Sequence, residues 1–398
     1  MFETLKILPP DPILGLSQEY MQSKHPNKVN LSVGVYKTDS GNTPIFKAVK
    51  TAEQRMIDEQ ESKVYIAQQG DPKFLSGMHA LLLGDDLSHS LQDRSSICMT
   101  PGGCGALRLA AETIFQAKPD ATVWFSTPTW GNHFPLIESA GLKTAEYPYY
   151  DKTTGLVDFD AMLATLEKIP AGDLVLLHAC CHNPTGADLN KEQWDQIIDL
   201  AERQGFIPWF DVAYQGFAQS LDDDAYSLRI AAKRLPEVVI VASCSKNFGL
   251  YRERIGAALF INQNKEQAEA VKTNAINLMR KSYSMSPYHG GGIVGTILSN
   301  TELTKTWQEE VIEVCSHVQS LRHTFAKQLN QKQSKKDFSF ITKNKGMFSY
   351  LGIELEEALK LRSEHGVYIL NSTRINIAGL SSNNMDYVTD CIAAVLND

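Results

Sequence analysis

The chain has 398 residues, a formal net charge of −8 at pH 7, 43% hydrophobic and 21% charged residues. That length exceeds one ordinary domain and implies two lobes, with enough apolar material for a sizeable core. The acidic balance, without any long basic block, disfavours nucleic acid and anionic membrane as partners, and no apolar run reaches the ~18 residues that span a bilayer.

The start, MFETLKILPPDPILG, lacks a charged segment followed by an apolar core, so it does not read as a secretory signal. Pro9, Pro10 and Pro12 stand among Leu8, Ile13 and Leu14. They argue against a helix interior and predict an extended apolar arm over residues 1–14, which either packs on a second subunit or frays. In the middle of the chain, short apolar runs alternate with helical patterns, the signature of βαβ units in a largely parallel sheet. The predicted strands are Thr122–Ser126, Leu174–Ala179, Phe206–Asp211, Val238–Ala242 and Ile255–Ile261. Between them, Lys191–Gln204 predicts a helix with Trp194, Ile197, Ile198 and Ala201 on one face. From about Leu303 a long helix-like segment leads into a short strand-rich tail, FSFITKNKGMFSYLGI, and a final helix. The expectation is an α/β protein with a large domain over 41–311 and a smaller one built from 15–40 and 312–398. The seven cysteines form no paired framework and no zinc pattern; Cys180, Cys181 and His182 are consecutive and cannot all converge on one ion. No metal is expected, and the odd cysteine count fits a reducing, cytoplasmic setting.

A parallel α/β sheet places its functional groups just past the carboxyl ends of its strands. There the chain has Cys180-Cys181-His182-Asn183-Pro184-Thr185-Gly186, then Asp211 with Tyr214 three residues on, then Ser243-Cys244-Ser245-Lys246 with Arg254 eight residues later. Pyridoxal phosphate requires an amine for its aldehyde, a carboxylate for its ring nitrogen and a cradle for its phosphate. Lys246 offers the amine. A lone lysine is ordinarily a solvated surface charge, but this one follows a buried-looking strand beside two serines. Asp211 can pair with the ring nitrogen, and Tyr214 and Asn183 can reach the ring oxygen. Thr100-Pro101-Gly102-Gly103-Cys104-Gly105-Ala106-Leu107-Arg108 is a glycine-rich loop opening a helix. Its spacing is neither that of a dinucleotide fingerprint nor that of a Walker loop. Together with Ser243, Ser245 and Arg254 it makes a phosphate cup. Trp130 is placed to stack on the ring, and His133 to back Asp211. No G-x-S-x-G elbow supports a serine hydrolase.

These motifs make the sequence recognisable. With Asn30–Lys37 (NLSVGVYK), NKGMFSY and the segment around Arg374, it resembles the class I, fold type I aminotransferases, specifically the bacterial aspartate and aromatic amino acid branch, over essentially its whole length. The resemblance implies a doubly wound, mainly parallel large domain with a small domain, and a homodimer with shared active sites. It implies Lys246 as the cofactor-bound base, Asp211 as the ring-nitrogen partner, Asn183 and Tyr214 on the ring oxygen, and Trp130 above the ring. It assigns Gly103, Cys104, Ser243, Ser245 and Arg254 to the phosphate, joined by Tyr65 from the neighbouring subunit. Arg374 would clamp the substrate α-carboxylate, with Gly34, Trp130 and Asn183 also at the substrate. Arg280 would reach a side-chain carboxylate across the dimer. The substrates implied are amino acids and 2-oxo acids.

Three positions depart from the family pattern. Cys104 stands where Thr or Ser is usual, Met285 where aspartate-selective members have Asn, and Val64 replaces a polar Asn before Tyr65. All three remove polarity, which predicts a pocket that accepts phenylalanine, tyrosine and tryptophan as well as aspartate, with 2-oxoglutarate as acceptor. The competing expectation is a strict aspartate enzyme.

Overall fold

A computed structural model describes residues 1–9, 11–333 and 335–397. It divides into two compact units: Pro44–Asn183 with Ala187–His317, and Met1–Thr43 with Pro184–Gly186 and Val318–Asp398. That three-residue piece from the middle of the chain has no counterpart in the sequence reading.

The first unit is built on seven strands: β1 (Ser95–Thr100), β2 (Thr122–Thr127), β3 (Lys143–Pro148), β4 (Leu174–His178), β5 (Ile207–Val212), β6 (Val238–Ser243) and β7 (Gly256–Ile261). Their order is β1-β7-β6-β5-β4-β2-β3. The ladders β2–β3, β2–β4, β4–β5 and β5–β6 are parallel, and β7 runs antiparallel to both its neighbours. Every residue of β4, β6 and β7 is buried, which is why those strands read as continuous apolar runs rather than alternating ones. One face packs Val123, Phe125, Leu176, Trp209, Val241 and Phe260 against Leu107, Ala110 and Ala111 of the helix Gly102–Ala117. Helix Lys191–Gln204 forms as expected. Its start is closed by a reciprocal capping box between Asn190 and Gln193, and Trp194, Ile197, Ile198 and Ala201 are buried.

In the second unit Val29–Asn30 pairs in parallel with Val367–Tyr368, and Phe348–Tyr350 pairs antiparallel with Arg374–Asn376. Two expectations fail here. The arm does not stay extended to residue 14, because a helix runs from Pro12 to Gln22; Asp11 Oδ1 accepts from the Ile13 and Leu14 amides at 2.9 Å each. Proline is tolerated at a first helical position, where its missing N–H has no partner to lose. Pro10 lies outside the described residues. In the tail, Ser339–Thr342 is a 3₁₀ turn rather than a strand. Asp337 Oδ1 captures the Ser339 amide at 2.8 Å and its hydroxyl at 2.6 Å, and this local bond competes with strand pairing. Among the described residues no helix is long and apolar enough to cross a membrane.

Candidate active site

The sheet register gathers the chemistry. Thr100 lies opposite Gly256 and Gly256 opposite Ser243, while Asp211 lies opposite His178 and Val241, so Ser243, Thr100, His178 and Asp211 all fall within the last residues of their strands, on two neighbouring rows. Just beyond β6, the partly buried Lys246 holds its ammonium 4.7 Å from the centroid of the Tyr214 ring. Burial pulls the amine below its ordinary value, with Asp211 and Cys104 opposing and Arg254 reinforcing. A lysine that gives up its proton more readily is a better nucleophile and base.

Asp211 accepts from His133 Nε2 at 3.0 Å, and His133 is fully buried. Burial alone would raise the carboxyl; the His133 hydrogen bond and the charges of His133, His178 and Lys246 outweigh it and hold Asp211 ionised. Behind this pair stands a layer that the sequence reading missed. Thr129 Oγ1 bridges His133 Nδ1 (2.8 Å) and His178 Nε2 (3.2 Å). The His178 ring stacks on His182 at 4.2 Å, and His182 stacks on Tyr149 at 4.1 Å and bonds Ser126 Oγ at 2.9 Å. The available signal was His178 itself, a polar residue closing the otherwise apolar run LVLLH. The buried Asn183 donates its backbone amide to His178 Nδ1 at 3.3 Å. Trp130 meets His133 edge-on at 5.3 Å.

His178 is pushed down to about 3 from an ordinary 6.5, by burial first and then by the charge of His133, with Asp211 opposing. Below pH 6.5 the unfolded chain therefore takes up a proton that the folded one refuses. Stability is full above pH 6.5 and falls toward pH 3, by at most about 1.4 kcal/mol per pH unit for this group. His178→Gln should flatten the dependence of Tm on pH between 6.5 and 4. An unchanged slope would mean that other groups set the acid limit.

The glycine loop and β6 meet in an anion cup. Helix Gly102–Ala117 begins with no side-chain cap, leaving its first amides available. Gly102 has φ +74°, and a Cβ there would land on the Arg254 guanidinium, so only glycine lets the two approach. Ser243 Oγ and Ser245 Oγ are 3.1 Å apart, and Arg254 Nη1 reaches Ser245 Oγ at 3.4 Å. A Cβ on Gly103 would lie 3.1 Å from Ser243 Cβ. Cys104 follows in the first turn, its Sγ 3.9 Å from Asn132 Nδ2.

Two further residues of this unit lie at its surface. Tyr65 is 90% exposed beside an exposed Val64, and the exposed Arg280 spends Nη1 on Ser284 Oγ at 2.7 Å. In the other unit Arg374 is buried, donating to the Ser32 carbonyl at 2.6 Å. Gly34 lies in the segment that Asn376 Nδ2 pins through the carbonyls of Val33 (2.7 Å) and Val35 (3.0 Å). One grouping was not foreseen: the thiols of Cys180 and Cys181 and the Asp224 carboxylate lie within 4.8 Å of one another. Asp224 is already engaged by the amides of Gly216, Ala218 and Gln219 at 2.8–3.0 Å, which closes a turn.

A base with a lowered proton affinity, a carboxylate kept ionised beneath it and an uncapped helix start lined with hydroxyls suit pyridoxal phosphate; the fold and site define a pyridoxal-phosphate enzyme. Residues 26–392 match the family model for class I and II aminotransferases. The chain is 41% identical to an aspartate aminotransferase of Salmonella typhi over the full length of both. It is 42% identical to an aromatic-amino-acid aminotransferase of Pseudomonas aeruginosa, covering 100% of this chain and 99% of the other. Among solved structures, an aromatic-amino-acid aminotransferase from Burkholderia pseudomallei, covalently bound to pyridoxal phosphate, superposes with a TM-score of 0.96 at 38% identity, covering 100% and 99% of the two chains. The chain belongs to the class I and II aminotransferase family, and it is a pyridoxal-phosphate-dependent transaminase.

Proposed function

We propose that the protein transfers the amino group of phenylalanine, tyrosine, tryptophan and aspartate to 2-oxoglutarate. The observation that carries this reading is the convergence of Lys246, Asp211 and the anion cup at one edge of the sheet, joined to relatives named for both substrate classes. Bound pyridoxal phosphate supplies an aldehyde for the amino group and a ring that stores the electron pair left at Cα. Lys246 holds the cofactor at rest, accepts the substrate's Cα proton through Nζ and gives it up again as product forms. Asp211, kept ionised by His133, holds a proton on the ring nitrogen. Tyr214 and Asn183 bond the ring oxygen, Trp130 covers the ring, and Trp130, Asn183 and Gly34 each serve in substrate binding. Gly103, Cys104, Ser243, Ser245 and Arg254 bind phosphate, and Arg374 binds the substrate α-carboxylate.

Tyr65 and Arg280 serve the site of a second subunit in a homodimer. Their exposure supports this, as does the exposed apolar surface of Phe2, Leu5, Ile7 and Leu8 in the first residues. The seven free thiols support a reducing, cytoplasmic setting.

Single-turnover reactions with a panel of amino acids test this, read as loss of the cofactor's aldehyde form. Phenylalanine, tyrosine and aspartate should all react. A reaction with aspartate alone would leave a strict aspartate aminotransferase. An arginine facing a side-chain carboxylate is worth roughly 2–5 kcal/mol when its partner is otherwise buried alone, whereas an aromatic side chain gains nothing from that pair. Arg280→Leu should therefore cripple aspartate and 2-oxoglutarate use and leave phenylalanine within roughly tenfold of wild type. Met285→Asn should tilt the balance toward aspartate.

A further inference from the structure

The guanidinium carbon of Arg374 lies 4.1 Å from the centroid of the Phe348 ring. Both residues are buried, 3% and 2% exposed, on paired strands where Phe348 faces Asn376 and Tyr350 faces Arg374. The ring has no room to swing. Its tip points at Gly34, where a Cβ would come within 2.5 Å of Phe348 Cζ.

Its backbone is fixed as firmly. Arg322, only 1% exposed, donates to the carbonyls of Ile341 (3.3 Å), Lys345 (3.0 Å), Gly346 (2.7 Å) and Phe348 (2.5 Å), and to Ser349 Oγ (2.6 Å). One buried cation thus gathers the segment that carries the ring.

An arginine that binds a carboxylate loses side-chain freedom in doing so, unless something has already removed it. An aromatic face removes it at little electrostatic cost: the planar cation rests on the ring through its face, while its N–H donors point outward in the guanidinium plane.

We propose that Phe348 is a positioning residue for substrate: its π face presets the Arg374 guanidinium for a carboxylate, and Gly34 is kept small to let the ring reach it. This rests on the reading of Arg374 as the α-carboxylate clamp. It adds that substrate affinity depends on the electron density of a ring that substrate need not touch.

The test uses the holoenzyme with Arg374→Ala, Phe348→Leu and 3,5-difluorophenylalanine in place of Phe348. The last keeps the ring's outline and drains its face. Phe348→Leu should raise KM for amino donors and oxo acids roughly tenfold, and the difluoro ring about threefold. In both, kcat should stay within about twofold and pyridoxal phosphate affinity should not move. Arg374→Ala separates the two layers of the argument. An unmoved KM there overturns the carboxylate reading of Arg374 and the proposal with it. A KM raised at Arg374→Ala but unmoved by either Phe348 replacement overturns the proposal alone. A rise with leucine but none with the difluoro ring also overturns it, since packing rather than the π face would then hold the guanidinium.

Discussion

Lys246→Ala should abolish transamination, with a loss of more than about 10⁴-fold, because the proposed function gives one amine both the cofactor's covalent anchor and the base for the Cα proton. The protein should still fold. Asp211, the carboxylate that feels the amine's charge, keeps its hydrogen bond to His133 when the amine is removed, so it is not left without a partner. Pyridoxal phosphate should still bind, without a covalent link, through Ser243, Ser245, Arg254 and the helix start. Thermal melting and cofactor titration check the fold, and a coupled assay checks the rate. Turnover near the wild-type level would sink the assignment of Lys246.

Asp211→Asn should cost several orders of magnitude in rate with little change in fold. The amide preserves the shape and a bond to His133, and removes only the charge. That charge is what the buried layer beneath it maintains: His133 bonds it directly, and Thr129 ties His133 to His178. A neutral partner cannot keep the ring nitrogen protonated, so the electron pair left at Cα loses its sink. A loss under about tenfold, ~1.4 kcal/mol, would mean that another group protonates the ring.

What could be read in advance follows from how each element is buried. β4, β6 and β7 are covered on both faces and announce themselves as apolar runs. β1 (SSICMT) and β3 (KTAEYP) are the two edges, half polar, and carry no such signal. The reversed direction of β7 is invisible in its composition, since antiparallel and parallel buried strands use the same residues. The helix start at Pro12 was hidden because proline usually breaks helices and is permitted in this one place. The groups past the strand ends were legible as a set because a parallel sheet leaves only one edge for them. The layer of Thr129, His178 and His182 was not, because each bonds across strands far apart in sequence. Tyr65 and Arg280 were singled out by resemblance alone; in a single chain they are surface residues.

The reversal of β7 has a consequence for how this site can change. A parallel successor to β6 would carry the chain back along the sheet before returning, and Arg254 would belong to a different excursion from Ser243. Here the chain turns at once, with Ser243 and Gly256 facing each other across the ladder. Amine, hydroxyls and guanidinium therefore form a closed cassette between two locked ends, transplantable as residues 238–261 with their spacing intact. A host sheet would need to supply only the carboxylate from one neighbouring strand and the glycine loop from another. The stretches around Val64, Arg280 and Met285, to which the proposed function gives selectivity, lie outside it in sequence and are free to drift without disturbing it.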